Sequence, residues 1–230
     1  MSPDRIAVMQ PSIDTSVFAR RAVQPELLVL GFVGRLEGAK GVMEVPRVLA
    51  ALPHARAELI GPATDEERDV LVNASRRAGV AERLRLLGEL PPERVAERMR
   101  SWSVLLLPSY SEGFPLVAVE AAAVGLPVAA VDSVLPEELT VQRGIHIGSR
   151  EEYANVVKGA VEADQPPVAG WVQSHAQAAE AWDALLEELQ PFTSRPRIAV
   201  QRVDRVKRFR PLRRAVRRVR GNSSRHHQSS

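Results

Sequence analysis

Two loops in this sequence combine residue types that could handle an anionic ligand. The first reads Gly34-Arg35-Leu36-Glu37-Gly38-Ala39-Lys40-Gly41. Its glycines let backbone approach a ligand closely, Arg35 offers a planar fork of donors and Lys40 a mobile point charge; together they suit a diphosphate. Taken alone, the loop is equally a solvated surface turn. It matches neither the dinucleotide pattern GxGxxG nor the phosphate loop GxxxxGK[ST]. The second loop runs Pro108-Ser109-Tyr110-Ser111-Glu112-Gly113-Phe114-Pro115 and leads into Leu116-Val117-Ala118-Val119-Glu120. Gly113 permits a tight turn, and Pro115 suits the first helical position, where its missing N–H costs nothing. The free amides of that first turn would then form an anion site. Glu120 is the only polar side chain from Leu116 to Val124. A helix apolar on every side is a buried helix, so this carboxylate needs donors, either a cation of the protein or the hydroxyls of a ligand.

Both loops follow apolar, β-branched runs that read as strands. Such runs span 27–34, 55–61, 83–88, 103–109, 127–133 and 144–148. Helical patterns fill the intervals: 45–52, 65–78, a helix opening at Pro91-Pro92, 115–124, 151–162 and 170–189. Strict alternation predicts an α/β domain, a Rossmann-like parallel sheet of about six strands with helices on both faces. In such a sheet ligands lie beyond the carboxyl ends of the strands, where both loops fall.

Composition removes several alternatives. Cys is absent, which excludes a disulfide framework, a thiolate metal site and a cysteine nucleophile. No HExxH or Cys/His cluster points to a metal. The opening MSPDRIAVMQPS lacks the pattern of a signal peptide, and the apolar stretch 116–131 is interrupted by Glu120, Gly125 and Pro127. A cytoplasmic protein is expected. His146 reads as a core residue, His54 as exposed, and the run from Asp65 to Asp69 as a solvated first helical turn. Trp102, Trp171 and Trp182 are expected to pack.

The net charge of +3 conceals an asymmetry. Residues 191–230 hold 13 Lys and Arg against the single acid Asp204, whereas residues 1–190 hold 18 against 27 acids. The chain thus divides into a lead-in over 1–26, a domain over 27–190 and a basic tail over 191–230. Between 195 and 220, Ile198, Val200, Val203, Val206, Phe209, Leu212, Val216 and Val219 recur mostly every three or four positions among Arg and Lys. This predicts an amphipathic basic helix for an anionic membrane surface, a partner domain, or a solvated tail. Nucleic acid is disfavoured by the acidic body and by a segment with one aromatic, Phe209.

The stretch SEGFPLVAVEAAAVGLPVAA, with Glu112 and Glu120 separated by seven residues, resembles the Glu-x7-Glu signature of retaining glycosyltransferases of family 4. GRLEGAKG is similar to their GR-x4-KG loop, Pro11-Ser12-Ile13-Asp14 to the entry of their C-terminal domain, and WVQSHAQAAEAWDALLEEL to its closing helix. The resemblance covers about Ile6 to Leu189. It implies one half of a GT-B fold that binds a nucleotide-sugar donor as co-substrate, with no cofactor and no metal. Arg35 and Lys40 would grip and stabilise the departing diphosphate, and Glu112 would face the donor sugar. Gly113 and backbone N–H groups near Phe114, Leu116 and Val117 would complete the site. Glu120 would accept from the ribose hydroxyls, and Gly88 and Glu89 would border the base. The catalytic set is then Glu112, Arg35 and Lys40. Two departures stand out. The acceptor-binding domain that precedes this one in the family must come from another polypeptide or be missing from a split or truncated copy, which leaves a non-catalytic sugar-nucleotide-binding subunit as the alternative. The loop Asp132–Glu137 also lacks the Gly pair usual before Pro-Glu.

Overall fold

The computed structural model describes residues 11–21, 27–132, 135–163 and 172–189. Its centre is a parallel sheet of six strands: β2 (Val29–Val33), β3 (Arg56–Ile60), β4 (Leu84–Gly88), β5 (Val104–Leu107), β6 (Val128–Val131) and β7 (Ile145–Gly148). β1 (Ser12–Ile13) and β8 (Gln173–Ser174) form a separate parallel pair. In the large sheet the order is β4-β3-β2-β5-β6-β7, so the expected six-stranded Rossmann-like sheet is present. The inner strands β5 and β6 are buried at every residue, as strands covered on both faces must be.

The helices are α1 (Glu44–Ala51), α2 (Asp65–Arg77), α3 (Pro92–Ser101), α4 (Leu116–Val124), α5 (Glu137–Thr140), α6 (Tyr153–Glu162) and α7 (His175–Leu189). α1 packs against α2 and α6, while α3 packs against α4. These two groups cover opposite faces of the sheet.

Local chemistry sets the ends of these helices. Thr64 and Glu67 form a reciprocal capping box at the start of α2, and the Thr64 amide holds the Glu67 carboxyl below its ordinary range. The same device opens α7, where the Gln177 amide donates to Ser174 Oγ at 3.2 Å and the Ser174 amide to Gln177 Oε1 at 2.9 Å. The helix expected over 170–189 therefore begins at His175, because Gln173 and Ser174 are pairing with Ser12 and Ile13. α4 begins at Leu116, with Pro115 one position outside it rather than at its first residue. The four-residue α5 is too short to leave a periodic signature.

Residues 17–21 of the lead-in are tied to the domain. Phe18 is buried, Arg100 donates to the carbonyls of Val17 and Ala19, and the Arg21 amide donates to the Val124 carbonyl at 3.0 Å. Trp102 is fully buried, but Trp182 is 51% exposed, which corrects the expectation that it packs. Trp182 lies on α7, most of whose described positions face outward, so an aromatic there finds no core to enter. Trp171 and the basic helix expected over 195–220 lie outside the described residues.

Candidate functional site

The strand order places the site. From β2 the chain winds outward through β3 to β4, then returns to β5 beside β2 and winds outward again through β6 to β7. The loops leaving β2 and β5 therefore lie side by side at the point where the strand order reverses, which in sheets of this kind is where ligands bind. They are the two loops whose residue types the sequence singles out, Arg35 and Lys40 in one and Glu112 in the other.

Backbone contact draws the loops together. Residues 38–40 form one 3-10 turn, which ends on Gly41 at φ 66°. A Cβ on Gly41 would lie 1.9 Å from the Pro108 carbonyl oxygen. Left-handed backbone and contact at that distance together admit only glycine. The Tyr110 amide then donates to the Ala39 carbonyl at 3.0 Å. Lys40 is carried to Glu112 by this seam: Lys40 Nζ lies 2.8 Å from both Glu112 Oε1 and Oε2. Ser109 Oγ donates to Glu112 Oε1 at 2.6 Å. Side-chain exposure is 27% for Lys40 and 13% for Glu112, so the pair is partly shielded from solvent and stronger than a surface ion pair.

Arg35 does not join that pair. Its guanidinium bonds Glu37 at 2.9 Å, its side chain is 67% exposed, and with Pro62, Ala63, Thr64 and Glu67 it lines a shallow open cleft beside α2. The strand ends toward the far edge are stitched together: the Gly34 amide donates to the Ile60 carbonyl and the Gly61 amide to the Gly88 carbonyl. Gly61, at φ 140°, leaves no room for a Cβ, which would lie 2.0 Å from the Gly34 carbonyl oxygen. Gly88 and exposed Glu89 thus stand two strands from β2, about 10 Å at ordinary strand spacing.

The start of α4 corrects one expectation. The Leu116 amide, expected to face the crevice, donates instead to the Phe114 carbonyl at 3.0 Å. Pro115, at φ −80° and ψ 88°, makes a tight turn close to an inverse γ-turn just before the helix, and this folds Leu116 back on Phe114. Nor is the helix buried all round. Leu116 is 46% exposed and Phe114 36%, Gly113 is exposed, and Val117 and Glu120 are half-buried, whereas Ala118, Val119 and Ala121 to Val124 are buried. Leu116, Val117 and Glu120 fall on one helical stripe, and this stripe is the open one.

Glu120 is the anomaly within that stripe. Among the described residues it has no hydrogen bond or ion pair, and burial raises its carboxyl above the ordinary range. Of the two kinds of donor it requires, the described part of the chain does not supply a cation. His146 is likewise half-buried with Nε2 unbonded, and burial lowers its pKa, but it sits in β7 away from both loops. No group of three or more His, Asp or Glu stands together among the described residues as a metal site would need. None of their helices is long and apolar enough to cross a membrane.

Sequence reasoning missed Ser109, Glu44 and Arg150. Ser109 lies three residues before Glu112 and could have been found by its spacing. Glu44 is 7% exposed and reads as an ordinary acid opening α1. Arg150 contacts Ser109 from 41 residues away, which only the fold reveals.

Comparison with known proteins gives this geometry a context. Residues 15–164 match the family model described as glycosyl transferases group 1. A D-inositol 3-phosphate glycosyltransferase of Kribbella flavida is 35% identical over 148 residues, 56% of this chain and 35% of that protein. Sucrose-phosphate synthase of Thermosynechococcus elongatus matches in structure with a TM-score of 0.64 at 20% identity, over 77% of this chain and 51% of that one. Anabaena HepE, solved in complex with UDP and glucose, matches with a TM-score of 0.61 at 20% identity, over 79% of this chain and 56% of that one. At these identities the structural matches speak to the fold. The chain spans between a third and about half of the length of these proteins.

Proposed function

The chain belongs to the glycosyl transferases of group 1, and from that premise we propose that it forms the donor-binding half of a transferase that moves a sugar from a nucleotide to an acceptor with retained anomeric configuration. Lys40 and Arg35 receive the diphosphate and stabilise the charge it gains on leaving. Glu112 faces the donor sugar, beside the backbone of Gly113, Phe114 and Val117. Glu120 accepts from the ribose hydroxyls, and Gly88 and Glu89 border the base. The acceptor and the rest of the active site belong to a further domain or subunit.

One observation carries this reading: Glu120 is half-buried on the open stripe of an otherwise apolar helix, without a partner among the described residues. Such a carboxylate weakens the fold unless something else bonds it, and ribose hydroxyls are donors of the right kind. The consequence has a definite sign. A carboxyl whose pKa is higher folded than unfolded contributes stability at low pH that is lost as pH rises from the unfolded value through the folded one. Glu120→Gln removes that loss. The variant is expected to be more stable than the parent to urea at pH 7, with the difference gone by about pH 3, and to bind nucleoside about tenfold more weakly for want of a charged acceptor. A variant that is less stable at neutral pH and binds as the parent does contradicts the assignment.

The base is found by thermal shift with UDP-, GDP- and ADP-sugars, and the UDP bound by Anabaena HepE makes the uridine series the first to try. A chain that none of them stabilises is better read as a subunit without a donor site. For the tail we propose peripheral contact with an anionic membrane surface, because cations alternate with apolar residues at helical spacing over 195–220. The full chain should pellet with anionic liposomes at low salt and a chain ending at Gln190 should not; equal pelleting refutes the contact.

A further inference from the structure

Arg150 lies between β7 and α6, outside both loops of the donor site, yet it touches the framework of each. Its Nη2 donates to the Ser109 carbonyl at 2.9 Å, and its guanidinium carbon lies 3.7 Å from the centroid of the Tyr110 ring. On its other side Nη1 lies 3.7 Å from Glu44 Oε1, at the first residue of α1 and four positions after Lys40. Ser109 in turn holds Glu112, and the Tyr110 amide is bonded to Ala39, next to Lys40. One guanidinium therefore grips the beginning of α1 and the beginning of the second loop, and the Lys40–Glu112 pair hangs between these two points.

We infer that Arg150 is a positioning residue, which fixes the loop bearing Glu112 against the turn bearing Lys40 so that a single donor can touch both. The inference rests on the donor-site reading above. Its geometry differs from that of an ordinary buried ion pair. The well-formed hydrogen bond goes to the loop carbonyl, while Nη1 is buried without a hydrogen bond and faces Glu44 only at ion-pair distance. A planar fork can bond a carbonyl, stack on a ring and face a carboxylate at once; an ammonium cannot. The role accordingly requires arginine rather than a positive charge.

Amide exchange and nucleotide titration of the full chain, with Arg150→Met and Arg150→Lys beside the parent, test this. In Arg150→Met the Tyr110 amide should exchange about tenfold faster while those of Leu105 to Leu107 are unchanged, and UDP affinity should fall about tenfold with uridine affinity held within twofold, the effect of one charged hydrogen bond. Arg150→Lys should fall within about threefold of Arg150→Met, since the charge alone does not restore the fork; it also carries the test should the methionine variant fail to fold. Parental exchange at Tyr110, or UDP affinity equal to the parent's, overturns the inference. A parent chain that binds none of UDP, GDP and ADP defeats the donor-site reading instead, and the exchange comparison, which needs no ligand, still decides whether Arg150 holds the loop.

Discussion

Lys40→Met is expected to lower the affinity of the chain for a nucleoside diphosphate about 30-fold, and to leave its affinity for the nucleoside within about twofold. Lys40 is held where two loops meet, with Nζ 2.8 Å from each Glu112 oxygen. In the free protein this pair keeps both side chains ordered over the crevice. When a diphosphate arrives, the ammonium has donors to spare, since it carries three protons and need not release Glu112 entirely. Removing the ammonium acts twice: one charged hydrogen bond to the ligand disappears, and Glu112 is left as an unscreened negative charge facing an anion. The two effects have the same sign, which makes this larger than the loss expected at Arg35, a mostly exposed residue already bonded to Glu37. Lys40→Arg is not a conservative replacement, because a fork held by a bidentate carboxylate lies farther along the side chain and occupies space meant for phosphate. Calorimetry with UDP and uridine, or the base chosen by thermal shift, separates the cases. Parallel loss for diphosphate and nucleoside would mean that the variant damages the fold rather than the phosphate contact.

Lys40 and Glu112 were legible as candidate site residues from the residue types of their loops and from the resemblance of both loops to the family's motifs. Six apolar runs with helices between them leave few arrangements, and the ligand rule for parallel sheets points to the loops after the strand ends; the residue types of two of them single out those after β2 and β5, which the strand order sets side by side. The sequence does not show which groups within those loops meet. Nothing in the chain order indicates that Lys40 pairs with Glu112 across 72 residues while Arg35, in the same loop as Lys40, turns away to Glu37. That choice is made by the Gly41–Pro108 contact, a backbone packing event with no side-chain signature. The exposed stripe of α4 escaped for a related reason. Apolar residues in an unbroken run look buried, but Leu116 is exposed and Val117 half-buried at the start of α4, where the protein's own core does not cover them. Arg150 and Glu44 were invisible because each is ordinary in its local sequence; only the neighbourhood of β2, β5 and β7 in one sheet makes them a connected pair.

The largest expected effect on stability lies in the core. Trp102 follows α3 and is fully buried, with its ring across β2 at Gly31, where a Cβ would come within 1.8 Å of Trp102 Cε3. The indole thus fills the space that a side chain on the strand would otherwise occupy. Its Nε1 donates to Glu58 Oε2 at 3.0 Å, and Glu58, 8% exposed on β3, also has Arg98 Nη1 3.6 Å from its Oε1. Trp102→Ala should cost about 4 kcal/mol for the cavity and lost contacts. A further 1 kcal/mol or so follows from depriving a buried carboxylate of its donor. Against a typical domain stability of about 5–15 kcal/mol this brings the chain close to unfolding at 25 °C. Trp102→Phe keeps most of the volume and should cost about 2 kcal/mol, much of it through Glu58. Combining Trp102→Phe with Glu58→Gln should then cost less than the two single losses together, because a neutral amide costs less to leave without the indole donor than a carboxylate does. Urea unfolding with unchanged denaturant dependence measures all three. Strict additivity, or a loss below about 2 kcal/mol in Trp102→Ala, would show that the indole is neither the plug over Gly31 nor the partner that makes Glu58 tolerable beneath the sheet.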